Sequence, residues 1–586
     1  MAAIETTSDS LLALDIGAIT TRALFFDVVN GQYRFVAAGS APTTTGAPFH
    51  NVLEGAHMAI DDLQRITGRR LLADDATVII PSLSPGEGVD GMVTTLSAGA
   101  PLKTVIIGLL EDVSVASARR LVKSIHARLV DTFTLSDRRS LETRLDALLR
   151  LRPDLVIVTG GTENGASVSV SRLLEPLRLA LRLMPPEERP QILFAGNSAL
   201  QEKISTIFED TARVWLAPNV RPALDEEQIA AAHTILARAL REHYIRRLSG
   251  LQELDAWSGG VTMPAATAQG RMVRFLSLDD PSKGVLAVDM GASSITVTAA
   301  FQGRQYLGAY TDLGLGPQAA GVTRGDPHAT LLPWLTLPLE ADTVRDYVFD
   351  KTLQPAALPL TEEETAIEYA MARYALHRAA HRLLRDMYAQ GTNDTAGVPE
   401  LFPPVEPIII TGGIFTQTAN LGKALLTALD GLQPTGITTI LLDRYNLTTA
   451  LGAAASLNPA LAVQAMDSTM FIRLGLVVAP ISIARPGTPV LKVQLTDNES
   501  GETLKGEVKQ GGLAVLPLPP GRRGTLRLQP LYRTDIGLGA GRKAAYEVSG
   551  SALGIVIDAR GRPLRLHKDM ARRQEMYKKW LWHLGH

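Results

Sequence analysis

Two short stretches of the sequence share a pattern of residues that could bind phosphate. Residues 12–18 read LALDIGA and residues 286–292 read LAVDMGA, so each apolar segment ends in Asp-x-Gly-Ala, with Asp15 and Asp289 in equivalent places. A glycine after the acid lets backbone N–H groups approach an anion closely. Each carboxylate could hold Mg²⁺ through water or orient an attacking water. Two such turns facing each other could clamp the phosphates of one nucleotide.

Hydroxyl residues follow both turns and could add donors to phosphate oxygens. A single Asp in such a turn is more often structural, because Asp commonly bonds its own backbone two residues on. The duplication of the pattern favours the functional interpretation. Beside the two acids, the predicted ligands of the phosphates are Gly17, Ala18, Thr20, Thr21 and Arg22 in the first turn and Gly291, Ala292, Ser293 and Ser294 in the second.

Two glycine-rich segments follow other apolar runs. PIIITGGIF sets its glycines between a buried strand and a helix, where the backbone could lie against an adenosine or its α-phosphate. LVIVTGGTENGAS follows a strand at the usual crevice of an α/β sheet, and both a second ligand loop and a structural connection stay open for it. The residues concerned are Gly412, Gly413 and Ile414 in the first segment and Gly160, Gly161, Thr162 and Asn164 in the second.

The elements that must position these residues alternate between strands and helices. Residues 11–40 predict three antiparallel strands with a hairpin at Asn30-Gly31. From residue 76, where ATVIIPS is the first predicted strand, apolar strands alternate with helices, which favours a parallel sheet covered by helices. After about residue 465, short runs punctuated by Gly and Pro predict a β-rich domain. The Trp and Leu positions of the last segment, MARRQEMYKKWLWHL, favour docking onto its own domain over binding anionic lipid or a partner helix.

Composition narrows the class of protein. The 586 residues suggest two to four domains, and 46% hydrophobic with 20% charged residues is typical of a folded protein. A net charge of −2 gives no general attraction to nucleic acid or to anionic membranes. The absence of cysteine excludes disulfides, thiolate zinc sites, iron-sulfur clusters and thiol nucleophiles. Neither a signal peptide nor a transmembrane segment is predicted, so the expected location is the cytoplasm.

Seven segments in order resemble the actin, Hsp70 and sugar kinase superfamily of ATPases, and within it the glutamate mutase L family, also called MutL-like. The resemblance covers roughly residues 10–465. Its segments are LALDIGAITTRALFFD, LVIVTGGTENGAS, ILFAGNSALQEKI, LAVDMGASSITVTAA, ARYALHRAAHRLL, IIITGGIFTQTANL and DRYNLTTALGAAASL. It implies an α/β chain with an actin-like ATPase fold of two ribonuclease H-like lobes that binds ATP and Mg²⁺, with Asp15 and Asp289 as catalytic and metal-organising residues.

The resemblance also implies a partner. Such proteins are encoded with adenosylcobalamin-dependent aminomutases and are expected to act as ATP-driven chaperones or reactivating factors for them, with an oligomeric state left open. The predicted units are a first lobe at 10–75, an α/β insertion at 76–222, a helix and linker at 223–283, a second lobe at 284–465 and a β-rich C-terminal domain at 466–586.

Some positions depart from the family pattern. Ala18 and Ile19 stand where the family usually has Ser-Thr, Thr296 stands where it usually has Asp, and Arg22 replaces a Lys. Whether ATP is hydrolysed is therefore left open. The alternative hypothesis is a catalytically weak or inactive scaffold or filament-forming subunit. A small-molecule kinase is disfavoured, because no acceptor-binding motif is recognisable.

Overall fold

Two sheets of the chain repeat one strand order. The computed structural model describes residues 9–323, 325–389, 399–466 and 470–585. In each of the two sheets, three antiparallel strands are followed by a fourth and a fifth strand that lie parallel to the first, in the order 3-2-1-4-5. The predicted actin-like fold with two ribonuclease H-like lobes is confirmed.

The first sheet joins distant parts of the first half of the chain. Its order is β3-β2-β1-β4-β10, for β1 Leu11–Ile16, β2 Thr20–Val29, β3 Gln32–Pro42, β4 Gly91–Leu96 and β10 Thr262–Pro264. The predicted hairpin at Asn30-Gly31 is confirmed, because both residues have positive φ and join paired strands.

The strand predicted at residues 76–82 is wrong. Only an isolated bridge between Leu72 and Val78 forms there, and the Ser-Pro-Gly sequence that follows interrupts any ladder. The next strand along the chain is instead β4, which pairs with β1 in the first sheet and whose GMVTTL sequence is less apolar than the predicted segment.

Another sheet, distinct from the two that repeat one strand order, is wholly parallel. Its order is β6-β5-β7-β8-β9, for β5 Leu102–Ile107, β6 Ala127–Phe133, β7 Leu155–Val158, β8 Gln191–Phe194 and β9 Val214–Leu216. We call residues 102–216 the insertion. Helices join these strands and cover the sheet, as the alternating pattern predicts: α2 Ala116–Lys123, α3 Leu141–Leu151, α4 Val168–Leu173, α5 Glu175–Leu183 and α6 Gln201–Phe208.

The sheet of the second lobe is extended by strands from the C-terminal part of the chain. Its order is β13-β12-β11-β14-β15-β16-β22-β19, for β11 Gly284–Met290, β12 Ile295–Phe301, β13 Arg304–Tyr310, β14 Val405–Thr411, β15 Gly436–Leu442, β16 Ile472–Ala479, β19 Leu513–Leu516 and β22 Ile555–Asp558. A separate antiparallel sheet, β18-β17-β20-β21, contains β17 Pro489–Asp497, β18 Thr503–Lys509, β20 Arg523–Pro530 and β21 Ala544–Ser549.

The remaining helices cover the two lobes or join them. They are α1 Val52–Thr67, α7 Ile229–Arg247, α8 Leu251–Trp257, α9 Ala265–Leu276, α10 Ala319–Val322, α11 Pro327–Leu331, α12 Ala341–Leu353, α13 Glu362–Tyr388, α14 Gly413–Thr416, α15 Leu421–Leu432, α16 Leu447–Ala454, α17 Pro459–Met466 and α18 Met570–His583. No helix in the described ranges is long and apolar enough to cross a membrane.

The C-terminal helix packs onto the core of the second lobe. Tyr577, Trp580 and Leu581 of α18 are buried among the residues of that core. The helix thus docks within the chain and not on a partner, but it packs on the second lobe and not on the separate C-terminal domain that was predicted for it. Asp430 of α15 joins the contact, because it accepts hydrogen bonds from Arg560 at 2.7 Å and from Tyr577 at 3.1 Å. The C-terminal segment is thus part of the second lobe's core.

Candidate functional site

The two Asp-x-Gly turns are one hairpin built twice. In each, the acid is the next-to-last residue of the first strand. The glycine N–H donates to a carbonyl three residues on, at 3.1 Å from Gly17 to Thr20 and at 3.0 Å from Gly291 to Ser294. The repeat seen in the sequence is therefore a repeat of backbone geometry.

Each turn leaves backbone donors unused. In the described part of the chain, the N–H groups of Ala18, Ile19, Ala292 and Ser293 have no protein acceptor, and these residues are only half-buried. Neighbouring N–H groups that point into open space form a concavity suited to an anion. Because these donors are backbone groups, the loss of the family's usual hydroxyls at Ala18 and Ile19 leaves them in place.

Both turns open into one cleft between the lobes. The cavity has a volume of about 450 Å³. The second turn contacts the first lobe, since Ser293 Oγ donates to the carbonyl of Ser97, the residue after β4, at 3.3 Å. Of the predicted site residues, those that line the cleft are Asp15, Gly17, Ala18, Thr20, Arg22, Asp289, Gly291, Ala292, Ser293, Ser294, Gly412, Gly413 and Ile414.

Thr21 is not among the residues that line this cleft. Its side chain is fully buried and shares a hydrogen bond of 2.9 Å with Thr43, which in turn donates to the carbonyl of Gly17. Side chains alternate along a strand, so Thr20 and Arg22 face the cleft and Thr21 faces away. This corrects its prediction as a phosphate ligand: Thr21 supports the turn from behind.

Asp15 is held in place by three side chains. Its Oδ1 accepts a hydrogen bond of 2.7 Å from Thr95 on β4, and its Oδ2 accepts one of 3.1 Å from Asn446 and faces Arg22 at 3.5 Å. Asn446 comes from the second lobe, so this contact joins the lobes. No pattern in the sequence indicated Thr95. Asn446 lies in a segment that carries the resemblance, but nothing there singled it out.

Asp289 is placed differently. Within the described residues its carboxylate has no hydrogen-bond or ion-pair partner, and it is half-buried at the cleft wall. Burial and the neighbouring carboxylate of Asp15 raise the pKa of Asp289 to about 7, and Asp443 contributes in the same direction. The two acids of the repeat thus have different environments. Asp15 interacts with three polar side chains, whereas Asp289 accepts no hydrogen bond from the described residues.

The oxygen-rich surroundings suit a hard cation. Carboxylates and hydroxyls are the ligand types that Mg²⁺ takes, usually together with water and phosphate oxygens. No cluster of three or more His, Cys, Asp or Glu suited to a metal occurs in the described chain. The carboxylates and hydroxyls at the cleft are thus ligand types that fit Mg²⁺, and Asp289 is the carboxylate among them without a protein partner in the described residues.

Gly412 fixes the third loop against the second turn. Its φ is +103°, and a Cβ there would lie 2.3 Å from the carbonyl oxygen of Met290, the residue after Asp289. Only glycine fits this contact without displacing backbone. The glycine loop is therefore packed directly against the strand end that leads into the second turn.

A buried ion pair also lines the cleft, and no pattern in the sequence indicated it. Lys351 Nζ lies 2.9 Å from Glu368 Oε1 and also donates to the carbonyl of Ala357 at 2.5 Å. Nearby, burial lowers the pKa of Lys423, which makes no ion pair within the described residues. Lys423 is thus a cation at the cleft that is free to meet a ligand's oxygen.

The insertion also reaches the cleft, through His126. Tyr244 Oη donates to the carbonyl of Ala100 at 2.9 Å, so it accepts from His126 Nδ1 at 3.1 Å. Burial lowers the pKa of His126 to about 4, so the ring is neutral. No pattern in the sequence singled out this residue.

The TGGTENG loop lies elsewhere, at the carboxyl end of β7. The space beside Gly160 is occupied by Leu109 and that beside Gly161 by the carbonyl of Ala166. Glu163, two residues after Gly161, accepts a hydrogen bond from Asn219 at 2.8 Å. Thr162 and Asn164 follow the same turn, in which Asn164 has a φ of 58°. None of these residues lines the cleft between the lobes.

Asn446 offers a test of the contact between the lobes. Asn446→Gly removes the hydrogen bond to Asp15 but keeps the left-handed backbone, whose φ is 61°. We expect a loss of about 1–3 kcal/mol in the free energy of unfolding, because a buried carboxylate loses a donor. Asn446→Ala should lose about 1 kcal/mol more from backbone strain. Urea unfolding measures both, and an unchanged stability of the glycine variant would contradict the assigned contact.

Comparison with known proteins gives one family and several distant structures. A family model described as MutL protein matches residues 11–470. Protein MutL of Clostridium tetanomorphum is 22% identical in an alignment of length 358 that covers 56% of this chain and 74% of that protein. Nucleotide-free acetone carboxylase is similar over 86% of this chain and 81% of its own, at 12% identity and a TM-score of 0.31. A glycerol dehydratase reactivase is similar over 76% and 99%, at 10% identity and a TM-score of 0.30.

Proposed function

The chain belongs to the MutL protein family, and on that premise we propose that it binds ATP with Mg²⁺ between its lobes and uses the nucleotide to act on a partner enzyme. One observation carries the proposal. Both Asp-x-Gly turns and the Gly412-Gly413 loop, which are far apart in sequence, line a single cleft. A cleft between two lobes is where nucleotide binding can be converted into a change of their relative position.

The phosphates would bind to the two turns. The free N–H groups of Ala18, Ile19, Ala292 and Ser293 supply the donors, and Thr20, Ser293 and Ser294 can add hydroxyls. Bound Mg²⁺ would neutralise phosphate charge, with Asp289 as its nearest protein carboxylate. The nucleoside would lie along Gly412 and Gly413.

Asp15 would act on water at the phosphates. Its orientation is fixed by Thr95 and Asn446, so it can hold a water or a hydrated cation without reorganising. Arg22, 3.5 Å from the same carboxylate, can also face a phosphate oxygen. The closing of the lobes around a nucleotide would tighten this arrangement.

The partner would be engaged through parts of the chain that touch the cleft. His126 brings the insertion to the cleft wall, and Lys123 of the insertion forms an ion pair of 2.9 Å with Asp386 of the second lobe. Through these contacts, a change in the lobes would be transmitted to the insertion. The resemblance to the glutamate mutase L family favours an adenosylcobalamin-dependent aminomutase as the partner, and a chaperone or reactivating role toward it.

A second candidate is a scaffold that binds nucleotide but hydrolyses it slowly or not at all. Thr296 faces Asp289 across the hairpin, at the position where the family usually has a second acid. With Thr296 in that place, one carboxylate fewer is available to organise metal and water. This observation favours binding over turnover.

Calorimetry followed by phosphate release tests both candidates. ATP, ADP and a non-hydrolysable ATP analogue are titrated with and without Mg²⁺, and phosphate release is followed on the same sample. Mg²⁺-dependent binding with turnover supports the ATPase, whereas equal binding of ATP and its analogue without turnover supports the scaffold. No binding of any nucleotide would overturn the proposal.

A further inference from the structure

The outer face of α12 is both apolar and acidic. Asp346, Phe349, Asp350 and Leu353 stand at spacings that share one side of a helix, and all four are exposed. Phe349 is 52% and Leu353 is 79% exposed, while Val348 on the inner side is fully buried. Large apolar side chains exposed side by side mark an interaction surface. We call these four residues the α12 face.

The outer face of α18 has the opposite charge. Lys578, Lys579 and Trp582 share its exposed side with Arg572 and Glu575, so that side carries three basic residues and one acid, and Trp582 is 75% exposed. The other side of the helix, with Tyr577 and Trp580, is buried in the core. We call Lys578, Lys579 and Trp582 the α18 face.

Neither face satisfies its charges internally. Among the described residues, Asp346 and Asp350 make no ion pair, and the same holds for Lys578 and Lys579. By contrast, Asp342 on the same helix as the two acids is paired with Arg345 at 2.7 Å. The two faces are thus complementary in charge, and the charges of Asp346, Asp350, Lys578 and Lys579 are not paired within one chain.

The two faces belong to one region of the second lobe. α12 packs against α11, and Arg573 of α18 donates to the carbonyl of Leu332, the residue after α11, at 2.9 Å. The short α11 and the residue after it therefore contact both helices.

We propose that two copies of the chain associate with the α12 face of each copy against the α18 face of the other. Two patches of opposite charge on one chain suit a two-fold axis, because one rotation forms both contacts at once. Phe349, Leu353 and Trp582 supply an apolar centre, and the acids and lysines form the charged rim.

Sedimentation velocity on the full chain tests the dimer. The wild type should sediment as a concentration-dependent dimer that added salt weakens. Asp346→Lys with Asp350→Lys forms the first variant, and Lys578→Glu with Lys579→Glu the second. Each variant alone should dimerise at least tenfold more weakly, because like charges then meet at both contacts.

Mixing the two variants gives the decisive result. In the mixed pair, one contact is native and the other has its charges exchanged, so a heterodimer should form at close to the wild-type affinity. Its formation also demonstrates that both variants are folded. A wild type that stays monomeric at all concentrations overturns the proposal. So does a dimer that neither variant weakens, or two weakened variants that fail to pair when mixed.

Discussion

Asp289→Asn is expected to remove the Mg²⁺-dependent part of ATP binding. The substitution keeps the size of the side chain but removes the only carboxylate at the cleft wall that is free of protein partners in the described chain. We expect ATP affinity in Mg²⁺ to fall at least tenfold, about 1.4 kcal/mol, while affinity without Mg²⁺ changes little or improves. Calorimetric titration with and without Mg²⁺ measures the difference.

The same variant should be more stable than the wild type at high pH. The pKa of Asp289 is raised to about 7 by burial and by Asp15, whereas in the unfolded chain it returns to about 3.9. Between these values the folded state holds a proton that the unfolded state has lost, so wild-type stability falls as pH rises to about 7 and then levels off. The advantage of asparagine should therefore grow by about 1–3 kcal/mol between pH 5 and pH 8.

Asp280→Asn is the matched control. Asp280 lies in the same lobe, in an exposed turn outside the cleft, where it accepts hydrogen bonds from Ser282. It should change neither the Mg²⁺ dependence nor the pH dependence of stability. If Asp289→Asn leaves Mg·ATP affinity unchanged, the assignment of Asp289 to the metal is wrong, even where the stability result is as expected.

Asp430→Ala should produce the largest loss of stability. The carboxylate is fully buried and is bonded to Arg560 at 2.7 Å, paired with Arg373 at 3.2 Å and bonded to Tyr577 at 3.1 Å. Its removal leaves the buried guanidinium of Arg373 without this counter-ion. We expect a loss of about 3–5 kcal/mol in the free energy of unfolding.

Urea unfolding followed by tryptophan fluorescence measures this loss. Trp580 is a local reporter, because Arg560 lies over its ring at 4.7 Å. Asp342→Ala, which breaks the exposed pair with Arg345, is the control and should cost about 1 kcal/mol or less. Equal effects of the two substitutions would show that the buried network does not hold the C-terminal segment to the second lobe.

The sequence by itself determined the parts of the site that depend on local backbone. Asp-x-Gly after an apolar strand specifies a tight hairpin, and its recurrence at Asp15 and Asp289 predicted two equivalent turns. Asn30-Gly31 specified its hairpin for the same reason, since both residues accept positive φ. The loop at Gly412 and Gly413 was predicted from the apolar strand that precedes the two glycines. These features rest on interactions between residues close in the chain.

Tertiary structure alone decided how these parts differ and what surrounds them. Asp15 and Asp289 look alike in sequence, but Asn446 and Thr95, which are distant in the chain, bind only Asp15. The raised pKa of Asp289 comes from burial and from a neighbouring carboxylate, and both depend on how the lobes pack. The same holds for β4, which pairs with β1 although two strands, a helix and a long loop separate them in the chain. Contacts between distant segments set these properties, and local pattern carries no information about them.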